Sequence, residues 1–146
     1  MSKKQWIITA AIVLVIAAAL SVYYVPRSAA RTLELPDWQP AYIESHMSKS
    51  GHDGIYIHKI EEREEVEDFL TSLQTLQMKY ADRKHFYEIG KVSADVFVHY
   101  DNGRGCSVTL SDNGLVRHND KNYRCEDTAA LKDLLTRMQS WEQVAP

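Results

Sequence analysis

The only two cysteines of the chain, Cys106 and Cys125, bracket a turn-rich stretch, CSVTLSDNGLVRHNDKNYRC. Thiols at this spacing allow three chemistries: a disulfide, half of a metal site completed by a neighbour such as His118, or two buried free cysteines. The six histidines are the next candidates. His46, His52 and His58 fall close together, and His52-Asp53 between Gly51 and Gly54 has the composition of an acid–base pair and equally that of a polar turn. None shows the helical i, i+4 pairing or the Cys/His spacing used for metal ligation. There is no G-x-S-x-G nucleophile turn and no phosphate-binding glycine loop. Glu61, Glu62, Glu64 and Glu65 could gather a cation or a partner, yet the same residues suit a solvated helix start, and the glycine and alternating oxygen ligands of a calcium loop are missing. No catalytic residue, cofactor-binding residue or metal ligand is therefore assigned.

The elements that would position these residues follow from periodicity. Tyr42 to His46 reads as a short strand, SKSGHDG as a turn, and Ile55 to Ile60 as a second strand, giving a hairpin. In EEREEVEDFLTSLQTLQMKY, Val66, Phe69, Leu70, Leu73, Leu76 and Tyr80 recur at helical spacing and predict one amphipathic helix. A meander follows: Val92, Ala94, Val96, Val98 and Tyr100 share one strand face, with Ser93, Asp95, Phe97 and His99 on the other. Asp101-Asn102-Gly103 turns the chain into a strand bearing Cys106, Val108 and Leu110. The last element, TAALKDLLTRMQSW, places Leu131, Leu134, Leu135, Met138 and Trp141 on one stripe behind Asp127 or Thr128 as N-cap. The expected fold class is α+β: a mostly antiparallel sheet of about five strands packed in two layers against two helices.

Register bears on the cysteines. A two-residue Asn113-Gly114 turn would put Val116 on the polar side. A three-residue Asp112-Asn113-Gly114 loop, with Gly114 left-handed, pairs Leu110 with Val116 on the core face. If Asn119 to Asn122 then turns the chain so that Val116 opposes Cys125, the cysteines share a face but stand on the order of 15 Å apart. A disulfide needs Cα atoms within about 7 Å, so free thiols are the expectation.

Compartment is set by the N-terminus. After Met1-Ser2-Lys3-Lys4, the run Trp6 to Val25 has no charge, and as a helix would rise about 30 Å, the thickness of a bilayer core. Trp6 and Tyr23-Tyr24 fall at its two ends, where interfacial rings are favoured, and Pro26 follows. The expectation is a basic tail over residues 1–5, a membrane anchor over 6–25, an extended stalk over 26–40, and a domain over 41–146. Two other uses of the run are a core helix, for which the chain is too short to supply a surround, and a signal peptide cleaved after Ala30, releasing the rest. No cysteine follows the run to accept a lipid. Lys3 and Lys4 on one side nearly balance Arg27 and Arg31 on the other, and the short basic tail decides for a cytoplasmic N-terminus and a domain outside.

From Thr32 onward all 20 acidic residues remain with 13 of the 17 basic ones, a formal charge of −7. Such a domain is unsuited to nucleic acid and is repelled by anionic lipid surfaces. The order of apolar anchor, Leu35-Pro36, EEREEVEDFL, SDNGLVRHNDKNYRC and LKDLLTRM resembles a group of small membrane-anchored extracytoplasmic domains of unknown function in Gram-positive bacteria, although the lipid-anchored members carry an N-terminal cysteine that is absent here. That resemblance implies no catalytic residue. The functional expectation is a membrane-tethered, non-enzymatic interaction or accessory domain with the membrane and an envelope protein or peptide as partners. The alternative is a small envelope hydrolase with a His/carboxylate site near His52 and Asp53.

Overall fold

The computed structural model describes residues 2–81 and 90–145. Among these residues thirteen elements follow in order: α1 (Lys3–Tyr24), β1 (Arg27–Ser28), α2 (Ala29–Leu33), β2 (Pro40–Lys49), β3 (Tyr56–Ile60), α3 (Arg63–Thr75), β4 (Gln77–Tyr80), β5 (Val92–Tyr100), β6 (Gly105–Ser111), β7 (Leu115–His118), β8 (Lys121–Cys125), α4 (Thr128–Gln139) and β9 (Glu142–Ala145). The strands form one sheet in the order β1-β4-β8-β7-β6-β5-β2-β3-β9. Every neighbouring pair is antiparallel.

The α+β class and the apolar N-terminal helix are as expected, but among the described residues the domain has nine strands and three helices where five and two were expected. The extra elements lie where periodicity carries little signal. β1 has two residues, and β9 comes from the mixed sequence EQVA, which pairs with β3 at the sheet edge. The predicted helix through Tyr80 stops at Thr75. Leu76 turns to extended backbone, and Met78 and Tyr80 pair with Cys125 and Tyr123 instead. Apolar residues at helical spacing thus run across a helix-to-strand boundary, because an unpaired edge of β8 offers Gln77–Tyr80 a ladder that the helix end cannot.

The segment expected as an extended stalk also differs. Ala29–Leu33 is helical, with Ala29 and Leu33 buried, and the Ala29 N–H donates to the Leu76 carbonyl at 2.6 Å. Pro36 and Pro40 restrict only the residues just before them, and the helix has already ended at Glu34, whose φ is +48°. Only Val25 and Pro26 separate α1 from β1, a reach of about 7 Å.

One core collects the buried apolar residues of α2, α3 and α4 and most of those of the sheet. Ala29 and Leu33 of α2, Val66, Phe69 and Leu73 of α3, and Leu131, Leu134, Leu135 and Met138 of α4 join Ile43, Val96, Val98, Val108, Leu110 and Val116 of the sheet. Asp127 caps α4, its carboxylate accepting from the Ala130 N–H at 3.0 Å. Trp141 closes over Phe69 edge to face, with centroids 4.9 Å apart. The three domain helices therefore lie on one side of the sheet.

α1 is different in kind. It is capped by Ser2, whose hydroxyl accepts from the Gln5 N–H while the Gln5 side chain accepts from Ser2. It is apolar and long enough to cross a bilayer, and no residue of the candidate span Lys3–Ser21 is buried in the fold. That removes the core-helix reading. The side chains of Tyr23 and Tyr24, placed by the sequence at the second interface, lie outside the description.

Candidate functional site

The register around the cysteines follows from one turn. Leu110 faces Val116 and Thr109 faces Arg117, across a loop in which Gly114 has φ of +94° and donates to the Ser111 carbonyl at 3.0 Å. The next turn is shorter than expected. His118 pairs with Lys121 and Val116 with Tyr123, across a two-residue Asn119-Asp120 turn with φ of +48° and +60°. This slides β8 by two residues against the expected pairing. A shift of two preserves which face each side chain takes, so Cys125 stays in the core, now opposite Met78, while Cys106 stands on β6 opposite Val98.

Both thiols are free. Cys125 is buried and directs its Sγ toward the Asp127 carbonyl at 3.4 Å. Cys106 Sγ lies 3.3 Å from the Tyr100 hydroxyl. Burial pushes both thiols above their ordinary pKa, against a smaller opposing effect of these hydrogen bonds, and burial also raises the Tyr100 phenol. Thiols held protonated are poor nucleophiles and poor metal ligands. His118 is committed elsewhere: its Nδ1 donates to the Ser107 carbonyl at 2.7 Å and its Nε2 accepts from the Asn119 amide at 3.1 Å. Among the described residues no three His, Cys, Asp or Glu side chains converge as a metal-binding group.

His52 and Asp53 are both exposed in the β2–β3 turn, where Gly51 and Gly54 supply φ of +82° and +130°. Neither lines a cleft described below. His58 is buried on the core face opposite Ser45, and His58 Nδ1 and Ser45 Oγ are both enclosed without a hydrogen-bond partner. Burial lowers the His58 pKa below its usual value, the Lys49 charge adds to the effect, and the Tyr56 backbone opposes it. His85 lies outside the described residues.

Glu61, Glu62 and Glu65 come together with Glu142 in a cleft of about 390 Å³ closed by Trp141 and Arg137, while Glu64 is not part of it. Lys59 pairs with Glu61, and Arg137, which also lines the cleft, is paired outside it with Asp68 at 2.7 Å. The solvated helix start accounts for the cluster.

The side of the sheet away from the helices gathers residues that the sequence left scattered. The Tyr42 and His99 rings stack with centroids 4.2 Å apart and planes 14° from parallel. Lys59 Nζ sits 4.2 Å from the Tyr42 centroid, and Glu44 Oε2 lies 3.6 Å from His99 Nε2. One step along the strands, the His46 and Phe97 rings meet at 4.7 Å, and the Thr109 hydroxyl donates to Asp95 at 2.6 Å. The result is a half-exposed ladder running from β3 through β2 and β5 to β6. Alternation in the sequence puts Asp95, Phe97 and His99 on one face. It contains no signal that β2, some fifty residues earlier, brings Tyr42, Glu44 and His46 beside them.

A second gathering lies at the foot of α1. Val25, Arg27, Arg31 and Glu34 meet Tyr80, Lys121 and Tyr123 around a cleft of about 430 Å³. Burial raises the Tyr123 pKa, and the nearby Glu34 carboxylate acts in the same direction. In comparisons with protein families, curated proteins and solved structures, the chain matches none.

Proposed function

We infer that this chain is a membrane-tethered, extracytoplasmic interaction domain that works without catalysis. In this reading α1 holds the domain at the outer face of the cytoplasmic membrane, and the open sheet face receives an envelope protein or peptide. The observation that carries it is the one-sided packing: α2, α3 and α4 all bury their apolar residues in a single core, while Tyr42, His46, Phe97 and His99 stay half-exposed on the opposite face. Aromatic rings flanked by Glu44 and Asp95 suit a partner offering apolar and cationic side chains, through cation–π contact and paired charges. Ala29 supports retention of the anchor. It is wholly buried, so cleavage after Ala30 would remove β1 and a core residue together.

The catalytic alternative would have to rest on Glu44 and His99, because His52 and Asp53 sit in an exposed turn. Affinity capture from envelope extract, using the full chain and a Tyr42→Ala/Phe97→Ala variant in parallel, separates the two. The expected result is one protein retained by the parent chain and lost with the variant; equal retention would reject the open face as the docking surface. Protease added to intact protoplasts should degrade the domain, and a protected domain would reverse the orientation. An N-terminus beginning at Arg31 would show cleavage in place of tethering.

A further inference from the structure

We propose that the cleft at the foot of α1 binds the phosphate of an anionic phospholipid headgroup in the leaflet on the domain's side. This rests on the reading of α1 as a membrane anchor. Arg27 enters the cleft from β1, Arg31 from α2 and Lys121 from β8, so three segments distant in sequence place cations around one opening. Among the described residues none of the three is in an ion pair, whereas Lys59, Arg63, Lys79 and Arg137 all have carboxylate partners. Glu34 alone offsets them, leaving the cleft with a formal charge of +2 on a domain that is otherwise strongly acidic.

Location fixes the chemistry of the ligand. Val25, the C-cap of α1, forms part of the wall, and only Pro26 follows before β1. With α1 across a bilayer, this wall stands at headgroup depth, where lipid phosphates are the abundant anions and where rings such as Tyr80 and Tyr123 are favoured. A second cleft of about 490 Å³ shares Val25, Arg27 and Arg31, so both arginines line two adjoining openings. Each cleft is of the size that small ligands occupy, roughly 300–1,000 Å³. The acidic remainder of the domain is repelled by the same surface, which would orient the domain with this end down and the open face of the sheet free. The two outward arginines, which weaken the charge signal for topology, gain a reason to be there.

The test uses the full chain released from nanodiscs containing equal phosphatidylcholine and phosphatidylglycerol, with retained lipid counted by native mass spectrometry. The parent chain should retain phosphatidylglycerol preferentially, and Arg31→Gln should lower that preference by about fivefold, as expected for one cation near an anionic surface. Arg27→Gln/Arg31→Gln/Lys121→Gln should erase it, Glu34→Gln should raise it, and Arg104→Gln, away from the cleft, should leave it unchanged. Near-UV circular dichroism confirms folding, and the Glu34→Gln gain keeps the test sound if the triple variant unfolds. An unchanged lipid ratio in Arg31→Gln and Glu34→Gln overturns the proposal. So does displacement of the lipid by excess inorganic phosphate, which would assign the site to a free anion. Flotation with neutral phosphatidylcholine vesicles tests the anchor separately: a parent chain that floats with a flat lipid ratio loses only the cleft, and one that fails to float loses the tether as well.

Discussion

Along β5, Ala94, Val96 and Val98 turn toward the helices and are at most 1% exposed, while Asp95, Phe97 and His99, alternating with them, turn to the opposite side. The same comparison holds on β2, where Ile43 and Met47 are enclosed and Tyr42, Glu44 and His46 are not. One face is filled by aliphatic side chains interlocked with three helices; the other carries rings, imidazoles and carboxylates that contact chiefly one another. Stability is therefore concentrated on one side of the sheet, and the other is free to change without loss of the fold.

The largest effect that could break this contrast is a pair of phenylalanine truncations. Phe69 is fully buried under Trp141, so Phe69→Ala should cost about 3–5 kcal/mol in urea unfolding. Phe97→Ala on the open face should cost under about 1.5 kcal/mol, because the ring packs mainly on His46 and its removal encloses no cavity. Equal costs would mean that the second face is also core. A smaller loss, about 1–3 kcal/mol, is expected for Gly114→Ala, since φ is +94° and the added Cβ would stand 2.9 Å from the Cys125 carbonyl oxygen. The same unfolding measurement checks it, and a neutral result would contradict the turn that sets the Leu110–Val116 register.

His58 extends the comparison to pH. Its folded pKa lies below the ordinary 6.5, so below that value the unfolded chain binds more protons than the fold. Stability should be full above about pH 6.5 and decline as pH falls toward the lowered folded value. His58→Gln should flatten that part of the thermal-melting profile, and an unchanged slope would remove His58 as its source.

The smallest effect concerns the thiols. A serine in place of a buried cysteine with no polar neighbour should cost about 1–3 kcal/mol, but the Tyr100 hydroxyl lies 3.3 Å from Cys106 Sγ and can partner the new oxygen. Cys106→Ser should therefore cost less than about 1 kcal/mol, measured by thermal unfolding at fixed pH. Alkylation of denatured, unreduced protein should add two labels, and none would show a disulfide.

These contrasts also show what the sequence could reveal. Val92 to Tyr100, Leu110 opposite Val116, and Leu131 to Met138 were legible because their periods are unbroken and their turns have few solutions. Ala29–Leu33 was obscured by the prolines downstream, and Gln77–Tyr80 by helical spacing that continues past the helix end. β1, β4 and β9 owe their form to edges supplied by distant strands, a tertiary effect with no local signature. The open face was half legible: alternation places Phe97 and His99 together, but their pairing with Tyr42 and His46 depends on the β2–β5 register. The cleft under α1 was less legible still, since Arg27, Arg31 and Lys121 meet only through the fold.

The claim that the open face is where a partner docks is tested most directly by photo-crosslinking in intact cells, with a photoreactive residue placed in the full chain either at Phe97 or at Lys132, which is exposed on α4. The account predicts a discrete protein adduct from position 97 in the membrane fraction and none from position 132. An adduct from position 132 with none from position 97 would place the docking surface on the helical side and contradict it.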